Sequence, residues 1–530
     1  MTIVSDTGKF KTLRDDPTLK REGQLQRFLR KLKKENKISN IDYDKIYPKG
    51  SVPARIYGLP KMHKIFDRIP PFRPVVSSIG TYNYHLAKFL GTLLTPWLPM
   101  DYTARDTFTF IDDIQKVSMA NKFMISFDVA SLFTNIPLEE TIELAVDLIL
   151  TKDPNNQHSR EDLTRLFEFA TLGTNFLFEG IMYDQVDGVA MGSPLAPILA
   201  NLFMGHHEKR WIETFVGGKP RVYKRYVDDI FCLFDNKTQA LAFCHYINNQ
   251  HPNIKFTFEE EDNNRLPFLD VLIDNSGQRV TTSVFHKSTY TGLLTSYNSF
   301  VPLQYKVGLI RTLLDRTFRI NNTWISFDLD LKDLIRVFGR NYFPMWLIDK
   351  TVKSYLNKHF DRKVGNVEEE RNFDIRYFKL PFIGKYSDTF KIKLNDMVKK
   401  YCKDIDVKLI FTTCKLKDSF SCKDSLTSFS HTSKVIYKFV CANCSVSYIG
   451  ETERNLSTRI KEHYKDKNSH VFKHVNASLA CKNTCNDDCF SILDRASTKF
   501  LLRIKEGLYI KWEQPVLNKQ LYCYTSQLFV

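Results

Sequence analysis

Past residue 50 the spacing of apolar and polar positions divides the chain into four stretches of different character. The first is rich in short strands. Residues 122–127 (Lys-Phe-Met-Ile-Ser-Phe) predict a buried strand, ended by Asp128. Around residue 228 the pattern reads strand, tight turn, strand, with the adjacent acids Asp228 and Asp229 ahead of the apolar run Ile230, Phe231, Cys232, Leu233, Phe234. Residues 265–273 read as one more apolar strand, bearing the single acid Asp270. Over 302–358 the period lengthens to that of helices, with Leu309, Ile310, Leu313, Leu314 and Phe318 beside Lys306, Arg311, Arg316 and Arg319. A charged connector follows over 386–432, and then a second strand–helix unit with strands over 434–440 and from Ser447, and helices over 455–465 and 500–509. Ahead of all this, residues 1–50 are polar, with a helix around 24–34 whose Arg30, Lys31, Lys33 and Lys34 form a solvated face.

Neighbouring side chains on a strand face opposite ways, so a turn is what lets Asp228 and Asp229 approach one point. Like charges there repel, and a divalent cation relieves them. Phosphoryl transfer by two metals needs carboxylates from separate strands, and Asp128 with Asp228 and Asp229 supplies such a set. Between them lies Gly188-Val189-Ala190-Met191-Gly192-Ser193-Pro194, whose small residues permit close backbone approach. Upstream, Lys61, Lys64 and Arg73 sit among prolines and short strands, where cations would meet a nucleotide triphosphate.

In this order the residues resemble a reverse transcriptase. Asp128 matches that family's first catalytic Asp, and Tyr226-Val227-Asp228-Asp229 its catalytic hairpin. The resemblance implies that Phe133 excludes a ribose 2′-hydroxyl, and that Gly192, Lys61, Lys64 and Arg73 belong to nucleotide binding. It also implies two Mg²⁺ on Asp128, Asp228 and Asp229, and a structural role for Asp270 in the last palm strand. Residues 285–299 are similar to a primer grip, and the basic helices of 302–358 to a thumb holding duplex backbone without reading sequence. The wording of 127–137 and 191–204 is closer still to one branch, the Penelope-like retroelements. Set beside that family the chain begins late in the fingers, which implies an N-terminally truncated copy.

The C-terminal unit resembles the GIY-YIG nucleases. Asn455, Arg459 and His463 fall on one helix face at steps of four. By the resemblance Tyr437 and Tyr448 line the site with His463, Arg459 steadies the scissile phosphate, Glu506 holds one Mg²⁺, and Asn518 supports the site from below. Val435 stands where the first motif usually has Gly.

Composition sharpens two points. Lys plus Arg number 76 against 60 acids, a net charge of +16, which favours a polyanionic partner. Of the 11 cysteines only Cys232 and Cys244 precede residue 400, and such clustering points to metal ligands rather than disulfides. Cys441-x-x-Cys444 has the spacing of half a tetrahedral zinc site. The other half is expected from His474 with Cys481 or Cys485, ahead of His470 and Cys489; the family resemblance implies a structural Zn²⁺ there. No apolar run reaches the length of a membrane span.

The expected architecture is an α+β right-hand polymerase with fingers, palm and helical thumb, followed by a small α/β GIY-YIG nuclease domain. The expected boundaries are 1–120 for the N-terminal region and fingers, 121–300 for the palm, 301–385 for the thumb, 386–432 for the connector and 433–525 for the nuclease. The expected function is RNA-directed DNA synthesis primed at a nick made by the chain's own endonuclease, on an RNA template with dNTPs and target DNA, in the nucleus. Two rivals stand beside it: an RNA-dependent RNA polymerase, against which Phe133 argues, and a decayed nucleic-acid-binding copy, against which the intact carboxylates argue.

Overall fold

The computed structural model describes residues 7–62, 69–277, 279–361, 374–402, 404–413, 415 and 432–518. Lys64, expected at the nucleotide phosphates, lies outside the described residues.

The palm is a four-stranded antiparallel sheet in the order β7 (Val222–Tyr226), β8 (Asp229–Phe234), β4 (Phe123–Val129), β9 (Phe256–Glu260). Its inner strands explain the uninterrupted apolar runs. Ile230, Cys232 and Phe234 of β8 point into the large core shared with the palm helices, together with Ile125, Phe127 and Val129 of β4. Phe231 and Leu233, with Met124, point into a second core on the other face, against Phe110, Phe268 and Val271. A strand buried on both faces shows no polar alternation.

Beside the palm, the fingers form a five-stranded sheet in the order β1 (Phe10–Leu13), β6 (Ile181–Gln185), β5 (Thr174–Phe178), β2 (Ala54–Pro60), β3 (Phe72–Ser77). The helix Thr18–Lys34 is tied to this sheet by Arg21, which forms a two-pronged pair with Asp184.

Residues 265–273 depart from the single strand expected. They fold as a hairpin, β10 (Arg265–Phe268) and β11 (Val271–Asp274), which β12 (Thr281–Val284) extends. Leu269 makes the turn at φ 58°, a conformation that no Gly or Asn advertised. Asp270, in that turn, accepts from Thr107 Oγ1 at 2.8 Å and pairs with Arg316.

Three helices, Leu303–Ile320, Trp324–Arg340 and Met345–Asp361, form the thumb. The expectation that its basic side chains face duplex backbone is corrected for two of them. Arg316 holds Asp270, and Arg319 lies 3.5 Å over the Phe108 ring, so both fasten the thumb to the palm.

The connector expected over 386–432 is also different. Residues 374–412 form a βαβ unit in which β13 (Asp374–Pro381) and β14 (Ile405–Thr412) pair in parallel and the helix Lys385–Tyr401 joins them. Last comes a three-stranded antiparallel sheet, β16 (Ser447–Thr452), β15 (Val435–Val440), β17 (Phe490–Arg495). Helices Leu456–Lys465, His470–Ala477, Leu479–Thr484 and Lys499–Glu513 accompany it around a core of its own.

Candidate active sites

The palm register sets Asp128 of β4 opposite Asp229 of β8. Directly paired residues share a face, here that of Phe231 and Leu233. Asp228 occupies the turn between β7 and β8, where its carbonyl accepts from Val129 N at 3.0 Å. The turn demands φ 58° of Val227, an uncommon position for a β-branched residue and one that a rigid surround must hold. Partial burial, then the charges of Asp228 and Asp128, raise the Asp229 carboxyl to about 6, against the smaller opposing pull of Lys287. Asp228 and Asp128 are near enough to act on Asp229 through their charge, a repulsion that a divalent cation would relieve.

Beneath the turn lies an arrangement that the one-dimensional reading missed. Arg225 is fully buried, and its guanidinium meets Glu208 at 2.6 Å, Asn201 Oδ1 at 2.7 Å and the Val227 carbonyl at 3.2 Å. Glu208, also buried, accepts from Tyr223 Oη at 2.8 Å. Asn201 and Glu208 belong to the helix Ala196–Thr214 that follows the Gly-Ser-Pro segment. A buried pair thus ties this helix to the carbonyl of the strained turn residue. The available signals were an Arg inside a predicted strand and a Glu one helix away.

Phe133 lies half-buried in the short helix Leu132–Asn135, one turn beyond β4. Its carbonyl accepts from Val189 N at 2.7 Å, and Gly188, at φ 69°, backs onto it so closely that a Cβ would stand 2.8 Å from Thr134 O. Gly192, at φ 128°, makes its close approach to β3, where a Cβ would collide with the Val76 carbonyl. Small residues here serve a protein contact: Val76 N donates to Met191 O at 2.8 Å and Ser78 Oγ to Gly192 O at 3.0 Å. Arg73, exposed, and Lys61 stand at the far end of the β2–β3 hairpin, where Leu59 pairs with Arg73 and Lys61 N reaches Pro71 O.

In the C-terminal unit the sequence-predicted residues converge. Arg459 Nε donates to Tyr437 Oη at 3.1 Å, and Tyr437 Oη lies 2.7 Å from His463 Nε2. Burial pushes the Tyr437 hydroxyl up, so at neutral pH it is protonated and donates to His463. Burial, and next the charge of Arg459, lower His463 to about 3, so its imidazole is neutral. With Nε2 accepting, Nδ1 carries the hydrogen and donates to Ser469 Oγ at 2.6 Å. Ser469, which also caps the helix His470–Ala477, was not singled out from the sequence. Tyr448 packs beside the group, its ring 5.4 Å from that of His463. Gly450 is obligatory in this packing, since a Cβ would stand 2.5 Å from Tyr437 Oη.

Glu506 accepts from Glu451 N at 3.0 Å, and burial, then the Glu451 charge, raise it to about 7. Glu451 Oε2 is buried with no hydrogen-bond partner among the described residues. Two close carboxylates with an orphaned oxygen fit a cation. Asn518 clamps Ile449 from below, accepting from its N–H at 2.8 Å and donating to its carbonyl at 2.7 Å. Val435, in place of the usual Gly, is fully buried at the start of β15 without disturbing the pairing to β16.

Cys441, Cys444, His474 and Cys481 bring their ligand atoms within 4.8 Å of one another, which suits a tetrahedral metal. Cys485 Sγ stands 3.5 Å from Cys441 Sγ, outside this set. Although burial opposes it, hydrogen bonds led by that of His474 lower the Cys441 thiol to about 6, toward the thiolate a metal needs.

The palm acids have the chemistry of metal-assisted nucleotidyl transfer, and the C-terminal group that of metal-assisted phosphodiester cleavage. Residues 52–261 match the reverse transcriptase (RNA-dependent DNA polymerase) family, residues 293–353 the animal helix-turn-helix domain and residues 433–520 the GIY-YIG catalytic domain. The chain thus carries a reverse transcriptase domain and, C-terminal to it, a GIY-YIG catalytic domain. Solved structures similar to it include telomerase from Candida albicans in complex with a fragment of telomeric RNA, at 10% identity and TM-score 0.41, over 63% of this chain and 64% of that one. Apo telomerase from Candida tropicalis, truncated from its C-terminal domain, is similar at 15% identity and TM-score 0.33, over 44% of this chain and 55% of that one. The chain thus spans between about half and two thirds of the telomerases it matches. No curated protein matches it.

Proposed function

We propose that this protein is the enzyme of a Penelope-like retroelement, copying RNA into DNA from a 3′-hydroxyl that its own nuclease exposes in chromosomal DNA. The observation that carries the reading is the presence, on one chain, of the Asp128–Asp229 pair beside Asp228 and the Tyr437–His463–Arg459 group beside Glu506. Its substrates would be an RNA template, dNTPs and target DNA, and its place the nucleus. Asp128, Asp228 and Asp229 would hold two Mg²⁺, which supply charge to activate a primer hydroxyl and stabilise the leaving oxygen. Glu506 would hold one Mg²⁺ for phosphodiester cleavage. There the chain's own part would be to hold the Tyr437 hydroxyl, between Arg459 and neutral His463, at the place of proton transfer, while Arg459 neutralises the phosphate. Lys61 and Arg73 would meet the triphosphate. Primer extension on an RNA template with dNTPs tests the reading, and an absence of product with an active nuclease overturns it.

Phe133 is assigned to sugar discrimination. Phe133→Ala is expected to raise ribonucleotide relative to deoxynucleotide incorporation by on the order of tenfold, as a lost steric contact does. Competition between rNTP and dNTP measures the ratio, and an unchanged ratio removes Phe133 from the pocket.

Zn²⁺ on Cys441, Cys444, His474 and Cys481 would be structural. Cys444→Ser should release one metal equivalent and lower the melting temperature of the nuclease unit, with extension of a supplied primer unchanged. Loss of extension together with the metal would contradict separate folding.

The two acids give the sites different pH limits. A proton on Glu506 competes with its cation as pH falls through about 7, whereas Asp229 takes up a proton only near about 6. Between about pH 8 and about pH 6.5 the Mg²⁺ concentration for half-maximal nicking should therefore rise more steeply than that for extension. Equal shifts in the two titrations would count against the assignment.

A further inference from the structure

The βαβ unit carries a surface that neither catalytic site uses. Its helix Lys385–Tyr401 packs on β14, with Ser387, Leu394 and Val398 on the covered side. Directly beside that covered side runs a stripe of Tyr386, Phe390, Met397 and Tyr401, at 67%, 49%, 58% and 70% exposure. On a helical projection Lys393 and Lys400 fall within the same stripe, and the helix's acids, Asp388 and Asp396, fall outside it. Lysines also stand over the terminal rings. Lys385 Nζ is 5.8 Å from the Tyr386 centroid, and Lys400 Nζ is 5.2 Å from that of Tyr401.

A row of large apolar side chains this exposed marks an interaction surface. Burial under a protein partner would strip water from Lys393 and Lys400, to which the helix itself offers one acid between them, Asp396, at the edge of the stripe. A single nucleic acid strand satisfies both halves of the pattern, since its bases stack on the rings and its phosphates meet the lysines. Duplex cannot, because its base faces are already stacked. Tyr386 and Phe390, and again Met397 and Tyr401, are about 6 Å apart along the helix axis, within the reach of successive bases in a stretched strand. The unit is anchored beside the thumb: Tyr305 Oη donates to Phe411 O at 3.0 Å and Lys391 Nζ to Gln304 Oε1 at 2.7 Å. We propose that the stripe from Tyr386 to Tyr401 is a platform for single-stranded nucleic acid, lying beside the thumb and separate from the palm. The proposal rests on the stripe's own chemistry and not on either catalytic assignment.

The test uses the full chain with its palm filled by excess blunt hairpin primer–template. The probes are oligo(rU) and oligo(dT) carrying a photoreactive 5-iodo base, which distinguish an RNA from a DNA strand. Crosslinks to Tyr386, Phe390 or Tyr401 are expected with at least one of them. Y386A/F390A/Y401A should weaken that probe by more than about tenfold while its salt slope stays unchanged. K393A/K400A should instead reduce the slope of log K against log salt by about 1.4. The substituted side chains are exposed, so melting and extension on a short hairpin template should match the parent. That extension also reports the polymerase reading on its own. Crosslinks confined to the palm and thumb helices, or unchanged affinity in the triple variant, would overturn the platform. So would a dimer, seen by sedimentation, that the triple variant dissolves, because the stripe would then be a protein interface.

Discussion

Asp228→Ala should reduce extension of a supplied primer by on the order of 10³-fold, with primer–template binding and DNA nicking unchanged. Glu506→Gln should do the reverse. The amide keeps an oxygen to accept from Glu451 N–H, now at 3.0 Å, so the packing survives while the charge for the cation is lost. The reciprocity follows from the cores. The palm acids lie over two apolar clusters drawn from residues before 321, whereas Glu506 stands over clusters drawn from residues after 434. Parallel extension and nicking assays on both variants check this. If Asp228→Ala also abolished primer–template binding, the turn would have a folding role; nicking that survives in the Glu506 variant would remove that residue from the nuclease site.

The second large effect is on stability. Glu208→Ala is expected to destabilise the palm by about 3–5 kcal/mol, because it leaves the Arg225 guanidinium buried without its counter-charge. Arg225 and Glu208 are both buried and meet at 2.6 Å, so water cannot replace the lost carboxylate without opening the core. The double replacement Arg225→Met with Glu208→Leu should recover most of the loss, since apolar pairs of similar volume often match a buried ion pair. Extension should not recover with it. The Val227 carbonyl would have lost its donor at 3.2 Å, and nothing else on Arg225 would hold the strained turn. Urea unfolding and primer extension on the two variants separate these roles, and recovery of extension in the double variant would assign the pair to stability alone.

Local pattern carried much of the fold because the palm's inner strands are buried on both faces. Their unbroken apolar runs, with acids at the ends, left little choice of element. The nuclease unit was legible for a similar reason, with Arg459 and His463 one turn apart on a helix above β15. Residues 265–273 misled because Leu269 enters the left-handed region with nothing in its type to announce it. The helix Lys385–Tyr401 was hidden in a connector because its apolar stripe faces solvent and its lysines read as charge alone. Arg316 and Arg319 sit on the expected helix, yet what they touch, Asp270 and Phe108, is set by tertiary packing that no spacing within the helix encodes. The Arg225–Glu208 pair was beyond reach for the same reason.

The order of strands in the palm bears on how the chain acquires activity during synthesis. Strand β4 lies in the middle of its sheet, yet both neighbours come from far downstream, and the hydroxyl of Thr257 that reaches the Asp128 carbonyl is 129 residues away. A nascent chain therefore holds β4, with its apolar faces bare, until β8 and β9 have left the ribosome. The nuclease sheet begins with a hairpin, β15 and β16, whose pairing is local and fast to form. Of the two catalytic units, the one made first should be the slower to mature and the more dependent on chaperones.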